Sequence, residues 1–135
     1  MRAVLDPNIL IAALLSRTGT PAQLVSRWLA GEFELVASEA LIAELERALA
    51  YPKLRARISP DEAASFVTVL RSGAVLAADP AEPESRSADA GDDYLIALAA
   101  QKRAVLVSGD QHLLALGEEL PIETARAFVD KLAAA

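Results

Sequence analysis

The 135 residues include no cysteine, 53% are hydrophobic but only 4% aromatic, and the net charge is −6. A chain of this length can bury about two-thirds of the surface its unfolded form exposes, so one domain over residues 1–135 can build a core of Ala, Leu, Val and Ile without staples. The composition excludes disulfides, a thiolate zinc site and a general coat of positive charge for nucleic acid, and it fits a reducing cytoplasm.

Residues 2–5 read as a short buried strand of a parallel sheet, ended by Asp6, and not as a signal peptide. Pro7 suits the first turn of a helix that carries Ile9, Leu10, Ala13 and Leu14 on one face. Thr18-Gly19-Thr20-Pro21 breaks the chain and restarts it, with Thr20 as N-cap of a second helix that holds Leu24, Val25, Trp28 and Leu29 and ends at Gly31. A second strand spans Phe33–Ala37, and Ser38 caps a helix with an apolar stripe of Leu41, Ile42, Leu45 and Leu49. Pro52 breaks that helix ahead of the densest basic cluster, Lys53, Arg55 and Arg57. Ser59-Pro60-Asp61-Glu62 starts the next helix, Gly73 stops it, and Ala74–Ala77 forms a third strand. Residues 79–91 read as a loop, followed by a helix from Asp92, a turn at Gln101–Arg103 and a strand at Ala104–Val107. A short helix at His112–Leu116, a weak edge strand at Pro121–Glu123 and a final helix capped by Thr124 complete the pattern. Strands alternating with helices predict an α/β fold with a central parallel sheet of four to five short strands and helices on both faces. No run of about 18 apolar residues occurs, so no membrane span is expected.

Four acids share one address in this pattern. Asp6 and Asp110 follow strands, Asp92 opens a helix, and Glu44 lies in the second turn of a helix that follows a strand. All four fall at the carboxyl-end rim of a parallel sheet, where open α/β folds bind ligands. Each alone has an ordinary explanation: Asp6 and Asp110 as helix N-caps, Asp92 through the helix dipole, Glu44 as part of a solvated face. Together they would repel unless a cation joined them, and oxygen-only ligands with a single histidine favour Mg²⁺ or Mn²⁺ over zinc. Periodicity alone leaves Asp93 open as the alternative to Asp92. The basic cluster could follow a phosphate backbone or be a solvated helix end.

The stretches VLDPNILIAALL, SEALIAELERAL with YPKLR after it, DDYLIALAAQ and VLVSGDQHLL together resemble PIN-domain proteins, in particular the VapC-like toxins of bacterial toxin–antitoxin pairs. The match covers nearly the whole chain in order. It implies a three-layer PIN-like fold, a Mg²⁺- or Mn²⁺-dependent endoribonuclease and inhibition by a cognate antitoxin, with a homodimer left open. The family's catalytic, metal-binding acids fall on Asp6, Glu44, Asp92 and Asp110, and its supporting polar positions on Asn8 and Ser108. Its helix aspartate stands 18 residues before the post-strand aspartate, which selects Asp92 over Asp93.

The chain departs from the family at Pro7, where threonine is common, and matches it loosely at Asp89. A PIN-like module that binds RNA or protein without cutting is the alternative, opposed by the intact acidic set. A haloacid-type phosphatase would need a second aspartate where Asn8 stands. A receiver domain would need an acid pair after its first strand.

Overall fold

The computed structural model describes residues 1–81, 83, 85 and 90–135, with Ala90 described by its backbone alone. Of the segment read as a loop, residues 82, 84 and 86–89, Asp89 among them, lie outside the described residues. Five strands, β1 (Arg2–Leu5), β2 (Glu34–Ala37), β3 (Val75–Leu76), β4 (Val105–Val107) and β5 (Ile122–Glu123), form one sheet in the order β3-β2-β1-β4-β5. Every pairing is parallel. The helices among the described residues are α1 (Pro7–Leu15), α2 (Thr20–Leu29), α3 (Glu39–Leu49), α4 (Pro52–Arg55), α5 (Pro60–Gly73), α6 (Ala90–Gln101), α7 (Gln111–Leu114) and α8 (Ala125–Ala134). None of them is long and apolar enough to cross a membrane.

Successive strand residues point to opposite faces, so a run of consecutive buried residues requires cover on both. Ala3, Val4 and Leu5 of β1 are all completely buried, as is Val36 of β2, and helices flank the sheet as the βαβ pattern predicts. The stripe Leu41, Ile42, Leu45 and Leu49 is the buried side of α3, and Trp28 is core. Phe33 meets Phe128 of α8 edge-on at 5.1 Å between ring centres, which ties the carboxyl-terminal helix to the chain's first half.

The helix starts in the first half of the chain follow the sequence, with differences at Thr20 and Pro52. Ser38, Ser59 and Thr124 each accept a hydrogen bond from an N–H in the first turn that follows. For α2 the cap is Gly19, and Thr20 is already helical, which places Pro21 in the first turn, where its lack of an N–H leaves nothing unpaired. Pro52 does more than break α3. Its fixed φ begins the one-turn helix α4 after extended Tyr51, so the basic cluster is partly helical.

The strand order carries the functional consequence. From β1 the chain moves to β2 and β3 on one side, then crosses to β4 and β5 on the other. The reversal leaves a crevice between the carboxyl ends of β1 and β4, the place where such sheets accept ligands.

Gly31 offers a clean test of local backbone demand. It ends α2 with φ +81, and no atom lies within 4 Å of where a Cβ would stand. Gly31→Ala therefore adds only left-handed backbone strain, and should lower stability by about 1 kcal/mol. In thermal melts this appears as a fall of roughly 3–5 °C in Tm.

Candidate active site

The pairing of β1 with β4 aligns Leu5 with Val107, so Asp6 and Ser108 leave adjacent strands side by side. The Asp6 N–H continues the ladder by donating to the Val107 carbonyl at 3.0 Å. The Asp6 side chain turns inward and is 5% exposed. Its Oδ1 accepts the Asn8 N–H at 3.0 Å, and its Oδ2 accepts the Ser108 hydroxyl at 2.9 Å. The same Ser108 oxygen, fully buried, accepts the Asp110 N–H at 3.0 Å. Asp110 then caps α7, its Oδ1 receiving the His112 N–H at 2.7 Å and the Leu113 N–H at 3.4 Å. Both aspartates are therefore N-caps, and both belong to one hydrogen-bonded group centred on Ser108. The short helix that Asp110 caps begins at Gln111 and ends at Leu114, slightly ahead of its expected place, and His112 stays at the surface.

Glu44 stands on the second turn of α3, half-buried beside the apolar stripe. It accepts a hydrogen bond from the Tyr94 hydroxyl of α6 at 3.1 Å. Burial pushes the Tyr94 phenol far above its ordinary value of 10.0, and the negative charges of Glu44, Asp79 and Asp6 push in the same direction. Tyr94 thus stands in the field of three carboxylates. Neither it nor Asp79 was singled out from the sequence. The signal for Asp79 was there, because it follows β3 as Asp6 follows β1 and Asp110 follows β4. Both oxygens of Asp79 lie near the Ala40 N–H, at 3.2 and 3.3 Å, at the opening turn of α3.

Helix α6 begins at Ala90, two residues earlier than the sequence suggested, so Asp92 and Asp93 both lie in its first turn. The short turn after Gln101 folds α6 back along β4, which brings that first turn toward the carboxyl ends of the strands. The buried side of α6 includes Leu95, Ile96 and Ala99. Asp92 precedes these by three, four and seven residues, which places it on the same sheet-facing side. Asp93 points about 100° away from that direction, yet it is the more enclosed of the two at 6% exposed.

Among the described residues, no three histidine or acidic side chains stand close enough to hold a metal as they are. The donor set nonetheless fits a hard cation in kind. It offers carboxylate and hydroxyl oxygens, and the buried Asp6 carboxylate meets only neutral donors. The basic cluster is divided: Lys53 and Arg57 line a groove that also contains Asn8, whereas Arg55 lines a separate hollow with Glu46 and Pro60.

The PIN domain family profile matches residues 2–112. The chain belongs to the PIN-domain family. PIN domains are generally nucleases, and they generally use divalent metal ions. The uncharacterized protein MJ1680 of Methanocaldococcus jannaschii is 21% identical, covering 97% of this chain and 91% of that protein. PAE2754 of Pyrobaculum aerophilum has the same fold at 20% identity and a TM-score of 0.69, over 100% of this chain and 91% of that one. VapBC2 of Rickettsia felis, solved bound to a DNA fragment from its promoter, aligns with a TM-score of 0.65 at 16% identity, over 92% of this chain and 98% of that one. The likeness to PAE2754 extends over the whole of this PIN domain, beyond the residues the family profile matches.

Two measurements probe the site without an activity assay. Ser108→Ala removes the hydroxyl between Asp6 and Asp110 and leaves a buried carboxylate oxygen and an N–H without partners. Denaturant unfolding should register a loss of about 1–3 kcal/mol. Tyr94 keeps its proton in the folded state above pH 10, where the unfolded chain loses it. Its contribution to stability is therefore present below about pH 10 and is lost as pH rises further. In unfolding experiments from pH 8 to 11, Tyr94→Phe should flatten the alkaline decline seen in the wild type.

Proposed function

We propose that this PIN domain is a Mg²⁺- or Mn²⁺-dependent endoribonuclease of the VapC type, the toxin of a toxin–antitoxin pair. The observation that carries this reading is the buried Asp6 carboxylate, joined through Ser108 to Asp110 at the β1–β4 crevice, with no cationic side chain among the described residues to neutralise it. Residues 1–135 would act as one domain in the cytoplasm. VapBC2, a neighbour in fold, supports the antitoxin as partner by its name.

Asp6 and Asp110 would hold the ion most directly, with Glu44 and Asp92 completing its surroundings directly or through water. The sheet-facing direction of Asp92 supports that choice, and the burial of Asp93 keeps it as the alternative. A divalent ion bound there supplies an acidified water and charge stabilisation for phosphodiester hydrolysis. The protein's own residues fix the geometry. Ser108 sets the Asp6 rotamer, Asn8 braces its other oxygen, and the Tyr94 hydroxyl orients Glu44. Tyr94 stays protonated at neutral pH, so it acts there as a donor and adds no further negative charge. The alternative, a PIN-like module that binds RNA or protein without cutting, keeps the fold and discards the acids' role.

Labelled RNA incubated with purified protein separates these readings. Cleavage should require Mg²⁺ or Mn²⁺ and stop in excess chelator. Asp6→Asn should remove nearly all of it with little change in Tm, because Asn retains an acceptor for Asn8 and the change reduces repulsion among acids. Asp92→Asn should also be inactive, whereas Asp93→Asn should mainly lower Tm. An active Asp92→Asn beside an inactive Asp93→Asn would move the ligand by one residue. Metal-independent cleavage, or none that depends on Asp6, would refute the mechanism.

A further inference from the structure

Beside the carboxylates runs a groove of about 870 Å³, formed by α1, the last turns of α3 and the segment through α4. Its floor includes Ile11, Leu15, Ala48 and Leu54, and its rim carries Tyr51, Lys53 and Arg57. Three features distinguish it from an ordinary surface hollow. Asn8 lines the groove, and its N–H holds Asp6 Oδ1, so the groove adjoins the candidate active site through this residue. Tyr51 is 65% exposed, although a large ring usually finds cover. Lys53 and Arg57 make no ion pair among the described residues, which is equally true of Arg17, Arg47, Arg55, Lys102 and Arg103, but only these two line the groove. Two unpaired cations beside an exposed aromatic ring stand out on a chain of net charge −6.

We infer that this groove is a subsite for an unpaired nucleotide of the RNA substrate, with Tyr51 stacking on the base and Lys53 and Arg57 holding the adjoining phosphates. The inference rests on the nuclease reading above and extends it to a substrate contact. The chemistry follows from the three side chains. Every base has a π-face that an exposed ring can cover whatever the sequence, and apolar walls exclude water from the stack. Cations spaced four residues apart follow a backbone, and Arg55 between them is turned to the other hollow. Single-stranded or looped RNA is the form that can offer a base this way, since a paired base has its faces occupied.

The test uses the full chain and a short fluorescent single-stranded RNA, with anisotropy read in excess chelator so that no cleavage occurs. Tyr51→Ala should weaken binding on the order of five- to tenfold, and Tyr51→Phe should retain it. The double change Lys53→Ala, Arg57→Ala should reduce the slope of log affinity against log salt by about 1.4, two phosphates at about 0.7 each, while Arg55→Ala leaves it unchanged. With metal present, Tyr51→Ala should raise KM and leave kcat nearly unaltered, because stacking on a base holds the substrate in ground state and transition state alike. RNA affinity unchanged in Tyr51→Ala and an unchanged salt slope in the double variant would overturn the subsite and leave the groove to a protein partner. The binding arm decides this even if no RNA is cut, so failure of the subsite and failure of the nuclease reading give different results.

Discussion

The hydroxyl of Ser108 is the point on which the site depends. It donates to Asp6 and accepts from the Asp110 N–H, and so fixes the two post-strand aspartates in one arrangement. That arrangement requires β1 and β4 to be neighbours in register, because only then do the residues after Leu5 and Val107 emerge together. The parallel pairing, the buried aliphatic strands and the helices covering both faces can all be read as the means of keeping that register. A slip of one residue would turn Asp6 away from Ser108 and expose one side of β1 to the wrong layer.

A buried carboxylate whose hydrogen-bond donors among the described residues are all neutral is an unusual thing to keep in a core. Asp6 lies beneath the surface, Glu44 and Asp79 act on the same tyrosine, and Asp110 is joined to Asp6 by two hydrogen bonds through Ser108. The hydrogen bonds offset part of the desolvation, but they do not cancel the repulsion between like charges. Negative potential gathered at a crevice attracts cations and repels phosphate, so this site is suited to an anionic substrate only when a counter-ion accompanies it. The N-cap role and the ligand role do not compete, since a carboxylate oxygen that accepts one N–H has a lone pair left.

Much of the fold was legible because the strands are short, aliphatic and bounded by turn chemistry. Alternation of strand and helix identified parallel units, and Ser38, Ser59 and Thr124 announced their helices correctly. Where a boundary moved or gained structure at Thr20 and Pro52, the reason is that proline and glycine mark a boundary without saying which side of it the helix occupies. The rim was legible as a place where acids recur after strands. Which acids meet was not, because that is decided by the strand order, and the order is a long-range property. Tyr94 was hidden for a related reason: an aromatic residue in an apolar helix looks like core until Glu44, 50 residues away, is seen to accept its hydroxyl. The basic cluster was visible as composition, but only the helical turn of α4 separates Arg55 from Lys53 and Arg57.

The central pairing also sets an order of events. Asp6 and Ser108 are separated by 102 positions along the chain, and β1 can first pair only with β2. During synthesis the early half can collect helices around β1 while one edge of that strand remains open. The crevice closes only when β4 has left the ribosome and docked. A long closure of this kind slows folding relative to local contacts. Until that docking Asp6, Ser108 and Asp110 have no common geometry, so the hydrogen-bonded group at the crevice is among the last features of the fold to form.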